Sequence, residues 1–167
     1  MRQEALNAAD RIIMVEVRKS GRQTARERIA MLLDADSFVE VDSFVQHRSG
    51  DFNMHLHRPY GDGVVAGHGK IDGRRVVCFA QDYAVFDGTM GEMHARKIAK
   101  VAEFAEKSQL PLLGIWDGDG QRVQDGVPAL GATGELLDIL VACSGRITTF
   151  SIILGTDAGC LLYTSPS

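Results

Sequence analysis

The sequence predicts an α/β layered fold, and three features carry that expectation. A hairpin pattern comes first, with strands over 63–71 and 75–80 joined by the turn dipeptide Asp72-Gly73. Strand and helix patterns then alternate: a helix over 90–107, a strand over 111–116, a helix over 130–143 and a strand over 148–154. Finally, two apolar strands empty into glycine-rich loops. Leu110-Pro-Leu-Leu-Gly-Ile115 runs into Trp116-Asp-Gly-Asp-Gly-Gln-Arg-Val-Gln-Asp-Gly126, and Thr148-Thr-Phe-Ser-Ile-Ile-Leu154 runs into Gly155-Thr-Asp-Ala-Gly-Cys160. Glycine carries no side chain to hold a ligand away from backbone N–H groups, so two such junctions suit a fold that aims amides at an oxygen.

Each element has its own justification. Thr24-Ala-Arg-Glu27 is a capping box that opens a helix through Ile29, Leu32 and Leu33, ending near Asp34-Ala-Asp36. Ser37 to Val45 alternates as a strand does, and the polar, His-rich stretch 46–61 reads as a loop. Val76-Val-Cys-Phe79 is continuously apolar, as in a strand covered on both faces. In the helix over 90–107, Met93, Ile98, Val101, Ala102, Phe104 and Ala105 supply the apolar positions. His94, Lys97, Lys100 and Glu103 read as its polar, solvated face. The strand at 111 crosses to the strand at 148 through a helix, which predicts a parallel pair.

Composition bounds the function. The 167 residues suit one domain, read as a helical segment over 1–35 and a core over 36–167. The net charge of −4 argues against a nucleic-acid or anionic-membrane surface. No uninterrupted apolar run reaches the ~18 residues of a membrane span, and Met1-Arg-Gln-Glu-Ala-Leu6 is no secretory signal. Cys78, Cys143 and Cys160 are odd in number and widely spaced, which predicts free thiols in a reducing cytosol. Beyond the last glycine loop stand only Leu161 to Ser167, where Pro166 forbids a helix, so the chain reads as a piece of something longer.

Several chemistries can be set aside. A calcium loop from Asp117 needs glycine and glutamate where Arg122 and Pro128 stand. Gly63 to Gly69 precedes a hairpin rather than the helix a dinucleotide fingerprint requires. His47, His55 and His57 have no supporting carboxylate or cysteine at ligand spacing, so they read as a polar loop with no metal. Cys160 is read as a small buried residue rather than a reactive thiol.

A set of motifs resembles the biotin-dependent acyl-CoA carboxyltransferases of the propionyl-CoA carboxylase β-chain type. They are Thr24-Ala-Arg-Glu-Arg-Ile29 with Leu32-Leu-Asp34 and Ser37-Phe-Val-Glu40, then Gly61-Asp-Gly-Val-Val-Ala-Gly67 with Gly69-Lys-Ile-Asp-Gly-Arg74. Gln81-Asp-Tyr-Ala-Val-Phe-Asp-Gly-Thr89 follows, with His94-Ala-Arg-Lys-Ile98. They keep order and approximate spacing over nearly the whole chain. The resemblance implies a crotonase-like fold, a spiral of ββα units, of which this chain covers most of the N-terminal half. It implies carboxyl transfer from carboxybiotin to the α-carbon of a short acyl-CoA, with the acyl-CoA held by this half. Biotin would arrive on a carrier from a partner subunit, alongside a biotin carboxylase, and the full-length chain would be a homo-oligomer.

The resemblance further implies two oxyanion holes, for the thioester enolate and for the biotin ureido oxygen. Carried over by position, Gly120 and Gln121 supply the amides of one, and Gly159 and Cys160 those of the other. Gly120, Arg122, Gln124 and Gly126 match the family pattern, whereas Gly118, Asp119 and Gln121 depart from it. Asp119 sets a carboxylate beside the place where an enolate would form, unfavourable unless the side chain turns away. In the second loop Gly155, Ala158, Gly159 and Tyr163 match, and Cys160, Leu161 and Leu162 depart. Arg122 is expected to anchor its loop or to polarise its surroundings, and it is counted among the residues expected to bind the acyl-CoA. Phe86, Gly88 and Thr89, on the loop into the first long helix, are expected to help hold the CoA. Two alternatives stay open: a decarboxylase subunit running the transfer in reverse, and a non-catalytic CoA-binding or subunit-contact fragment.

Overall fold

The computed structural model describes residues 14, 15, 18, 19 and 21–155. Among the described residues five strands form one mixed sheet in the order β1-β2-β3-β4-β5: Val39–Val41, Val64–Ile71, Arg74–Gln81, Leu112–Trp116 and Thr149–Ile153. The β1–β2 and β2–β3 pairs are antiparallel, and β3, β4 and β5 are mutually parallel, as the helical crossover requires. Over residues 21–155 the α-helices are α1 (Ala25–Leu32), α2 (Glu92–Ser108) and α3 (Gly126–Cys143).

Local chemistry accounts for the boundaries. The Thr24 side chain accepts from the Glu27 amide and the Glu27 carboxylate accepts from the Thr24 amide, so α1 opens on the expected reciprocal cap. At the hairpin, Asp72 and Gly73 both take positive φ, 49° and 76°, the geometry that matches strand twist in a two-residue turn. The two Asp34 oxygens accept from the amides of those turn residues at 2.9 and 2.8 Å, tying the end of α1 to the hairpin. α2 ends on Gln109 in the left-handed region, whose amide closes on Ala105 and Glu106.

Both sheet faces are covered. On one, Val64, Val77, Phe79, Leu112 and Trp116 pack against Ile98 and Ala102 of α2 and against Leu136 and Cys143 of α3. On the other, Val76, Cys78, Leu113 and Ile115 meet Ala25, Ile29 and Leu33. The apolar run 76–79 therefore alternates between two cores, as its composition predicts.

Some boundaries differ from the sequence reading. The strand expected over 37–45 is confined to 39–41, because Asp42 takes φ of 55° and turns the chain off the sheet edge. The loop 46–61 contains a 3-10 segment, Asp51–Leu56, in which Phe52 and Asn53 are left-handed. α2 starts at Glu92 rather than Met90, since Met90 pairs instead with Gln121. α3 starts four residues early, directly out of the glycine loop, with Pro128 tolerated in its first turn.

The expectation of a solvated Lys97 and His94 is corrected too: both side chains are buried against the sheet. Spacing placed them on the polar face, but the sheet and the turn before β2 wrap further round α2 than an apolar stripe alone indicates. Lys97 Nζ donates to the Val64 carbonyl at 2.7 Å, and burial lowers its pKa to about 8. By length and composition Val123–Cys143 is apolar enough to cross a membrane, the one such helix among the described residues, with mean hydropathy 1.4. Its Asp125, Glu135 and Asp138 break the uninterrupted runs, while Ala129, Ala132, Thr133 and Leu136 are buried within the fold.

Candidate active site

The glycine loop 117–125 leaves the C-terminal end of β4 and enters α3, a position where parallel strands collect binding residues. It is zipped to the loop that leads into α2. The Gly120 carbonyl accepts from the Met90 amide at 2.8 Å, the Met90 carbonyl accepts from the Arg122 amide at 2.9 Å, and the Asp87 carbonyl accepts from the Asp119 amide at 3.2 Å. Lower down, the backbones of Gly88 and Gly118 are in direct contact, leaving no room for a Cβ on either. The structure therefore brings Gly120, Gln121, Arg122, Phe86, Gly88 and Thr89 together, although some thirty positions separate the two groups in sequence.

Arg122 is the pin. Its side chain is 1% exposed and its Nη1 lies 2.5 Å from the Asp62 carboxylate, while Nη2 donates to the Thr89 carbonyl at 3.0 Å. The guanidinium also stacks over Phe86, 4.5 Å from the ring centroid. Two left-handed turns flank it, Gly61-Asp62-Gly63 and Phe86-Asp87-Gly88, every residue of which has positive φ. Non-glycine residues in that region cost about 1–2 kcal/mol each, and one buried cation holds both turns in place.

Around Arg122 runs a buried polar chain that the sequence reading did not assemble. The His94 amide donates to Asp62 Oδ2 at 3.0 Å, and His94 Nδ1 faces the Asp62 carbonyl at 3.0 Å. His94 Nε2 meets Gln81 Nε2 at 3.3 Å, and Gln81 Oε1 accepts from the Asp117 amide at 3.0 Å. The Asp117 carboxylate then pairs with Arg28 of α1 at 2.5 Å, with Arg22 at 3.7 Å. Asp125 closes the other end, accepting from the Glu92 amide at 3.0 Å and so capping α2 from the glycine loop. Burial, with the Arg122 cation close by, drives His94 down to about 3 and keeps the imidazole neutral. Asp62, Gln81 and His94 all lie within the motifs quoted above, which was the available signal. Their burial and pairing depend on contacts between residues 13 to 60 positions apart.

Within the loop, the amides of Gly118, Gly120, Gln121, Val123 and Gln124 make no hydrogen bond to the described residues, and Gly120 and Gln121 are the two that sit beside the pairing with Met90. The amides on either side of these two, Asp119 and Arg122, are hydrogen-bonded. The Gln121 side chain is turned onto Thr133 of α3, donating at 2.9 Å, so it does not fill the space over its own amide. Asp119 is exposed at the crest of the loop. Such amides, preorganised beside developing negative charge, are worth about 3–4 kcal/mol per donor.

The second loop begins beside the first. The Leu154 amide donates to the Trp116 carbonyl at 3.0 Å, and the Asp117 carboxylate occupies the space a Cβ on Gly155 would need. Gly159 and Cys160 lie outside the described residues. His47, His55 and His57 do not converge: His47 Nε2 faces the His57 carbonyl at 2.8 Å and His55 Nδ1 the Gly50 carbonyl at 3.3 Å. Among the described residues no cluster of three or more His, Cys, Asp or Glu is placed to hold a metal ion.

Comparisons with known proteins give the family of the chain. The model of the carboxyl transferase domain matches residues 16–166. The propionyl-CoA carboxylase beta chain of Saccharopolyspora erythraea is 48% identical over 160 residues, covering 96% of this chain and 29% of that protein. The methylmalonyl-CoA decarboxylase subunit alpha of Veillonella parvula is 47% identical over 86% of this chain and 28% of its own length. Among solved structures, the transcarboxylase 12S hexamer with methylmalonyl-coenzyme A and methylmalonic acid bound is similar at a TM-score of 0.93 and 35% identity. That match covers 98% of this chain and 32% of that one. The chain thus spans about three-tenths of the length of these relatives. Its fold is the crotonase-like α/β fold that the motifs implied, and the chain belongs to the carboxyl transferase domain family.

Proposed function

We propose that this chain carries the acyl-CoA side of a carboxyltransferase site that moves a carboxyl group between biotin and the α-carbon of a short acyl-CoA. The observation that carries the reading is the pair of unspent amides at Gly120 and Gln121, on a loop locked by Arg122. When a base or a departing carboxylate leaves the α-carbon electron-rich, charge gathers on the thioester oxygen. Two amides fixed before the reaction stabilise that enolate without reorganising. Phe86, Gly88 and Thr89, on the loop zipped to this one, are assigned by the resemblance to holding the CoA. Gly159 and Cys160 are the residues that the resemblance assigns to the ureido oxygen of biotin, which would be delivered on a carrier from a partner subunit and charged by a biotin carboxylase. A full-length homo-oligomer in the cytosol completes the reading. The free, buried thiols of Cys78 and Cys143 suit a reducing compartment.

A second reading rests on the Veillonella relative, whose identity of 47% is close to that of the carboxylase chain. The same amides would serve an enolate formed by decarboxylation, since the charge appears on the same oxygen.

Titration calorimetry of the purified chain with propionyl-CoA, with free pantetheine as control, tests the proposal. Saturable binding that depends on the CoA moiety is the expected result, without carboxyl transfer from carboxybiotin by the 167-residue chain alone. A folded sample that binds neither ligand would leave this chain with the family's outline and no site.

A further inference from the structure

The buried chain from Asp62 to Asp117 has a direction, and the direction is chemically forced. A carbonyl oxygen only accepts, so the His94 Nδ1 that faces the Asp62 carbonyl at 3.0 Å must carry the proton. A neutral imidazole then presents a bare Nε2 at its other end. Gln81 Nε2, 3.3 Å away, donates to it, and this choice of amide orientation turns Gln81 Oε1 toward the Asp117 N–H at 3.0 Å. None of the three links can be reversed alone without leaving two donors or two acceptors face to face in a buried site. His94 is fully buried, at 0% exposure, so water cannot rescue a mismatch.

We infer that His94 is a positioning residue: through Gln81 it fixes where the Asp117 amide sits, and with it the loop that presents Gly120 and Gln121. The relay is the only side-chain support that the Asp117 amide has among the described residues. Gly118, the next residue, lies against both Gly88 and Gln81 Oε1, so a shift of Gln81 is passed directly to the loop backbone. The Asp62 end of the relay is the same residue that Arg122 grips, so both ends of the loop refer to one anchor. The catalytic consequence rests on the acyl-CoA reading above, whereas the geometry of the relay does not.

Heteronuclear NMR of the histidine-labelled 167-residue chain at neutral pH reads the relay without any ligand. The expected signature of His94 is a neutral ring protonated at Nδ1 with a bare Nε2. A ring protonated at Nε2, or a doubly protonated one, overturns the inference. Gln81→Glu supplies the second arm. An ionised carboxylate there can accept from the Asp117 amide but cannot donate to Nε2. Either the new carboxyl stays protonated to donate, or His94 changes protonation or swings away. An ionised carboxylate beside an unchanged His94 overturns the inference. Where His94 changes, the amide signals of Asp117, Gly120 and Gln121 are expected to shift, while that of Gly73 in the distant hairpin stays put and reports an intact fold. Unmoved loop amides beside a changed His94 signal would sink the proposal. Propionyl-CoA affinity then separates the two readings. A tenfold or larger loss in Gln81→Glu is the expected outcome. Wild-type protein with the expected tautomer and coupled amides but no binding would refute the acyl-CoA site and leave the relay standing. Undiminished binding despite displaced amides would overturn the role of the relay in that site.

Discussion

Gly88 and Gly118 lie backbone to backbone: a Cβ on either would run into the other strand of contact, the Asp117 carbonyl for Gly88 and the Gly88 carbonyl for Gly118. Gly88 also holds φ of 65°, which an L side chain rarely adopts. This crossing is what sets the loop into α2 against the loop out of β4, and both proposed halves of the acyl-CoA wall depend on it.

Gly88→Ala is therefore expected to cost about 2–4 kcal/mol, combining left-handed strain with overpacking against backbone that cannot yield. Urea unfolding followed by circular dichroism measures it. A variant with a wild-type midpoint would mean the two loops are not held in contact.

Removing the pin should cost more. Arg122→Leu leaves the Asp62 carboxylate buried without its Arg122 partner and removes the cation from the Phe86 ring. The expected loss is about 3–5 kcal/mol. Arg122→Lys keeps the charge but not the fork that reaches Asp62 and Thr89 together, so it should recover only part of that loss. Full recovery by lysine, read from the same unfolding curves, would show that charge alone matters there.

Lys97 gives a pH signature. Its pKa falls from an ordinary 10.5 to about 8 in the folded chain, chiefly through burial. Between those values the unfolded chain binds more protons than the folded one, so stability rises with pH across that window. Relative to Lys97→Met, which cannot titrate, the wild-type protein should gain roughly 2–3 kcal/mol between pH 8 and 10.5. Parallel stability profiles for the two proteins would place Lys97 in water instead.

The parts of this molecule that follow a local period were readable from residues alone. The hairpin at Asp72-Gly73, the capping box at Thr24 and the parallel strands at 112 and 149 each declare themselves within a dozen positions. Asp42 ended β1 early because a single left-handed residue is invisible to an alternation pattern. His94 and Lys97 looked solvated because helical spacing describes only one apolar stripe. What buries them is a turn some thirty positions earlier, Gly61-Asp62-Gly63, reached through the Asp62 and Val64 backbone. For the same reason Arg122 could be marked as an anchor from its place in the glycine loop, but its partners at Asp62, Phe86 and Thr89 could not be derived from spacing.

The proposed site requires that the Gly120 and Gln121 amides receive the thioester oxygen. Backbone amide NMR of the chain, recorded with and without saturating propionyl-CoA, addresses it directly. Large, specific shifts of the Gly120 and Gln121 signals are expected, with those of Asp119 and Arg122 moving less because their protons are already committed to Asp87 and Met90. Binding that leaves the Gly120 and Gln121 signals where they were would contradict the account.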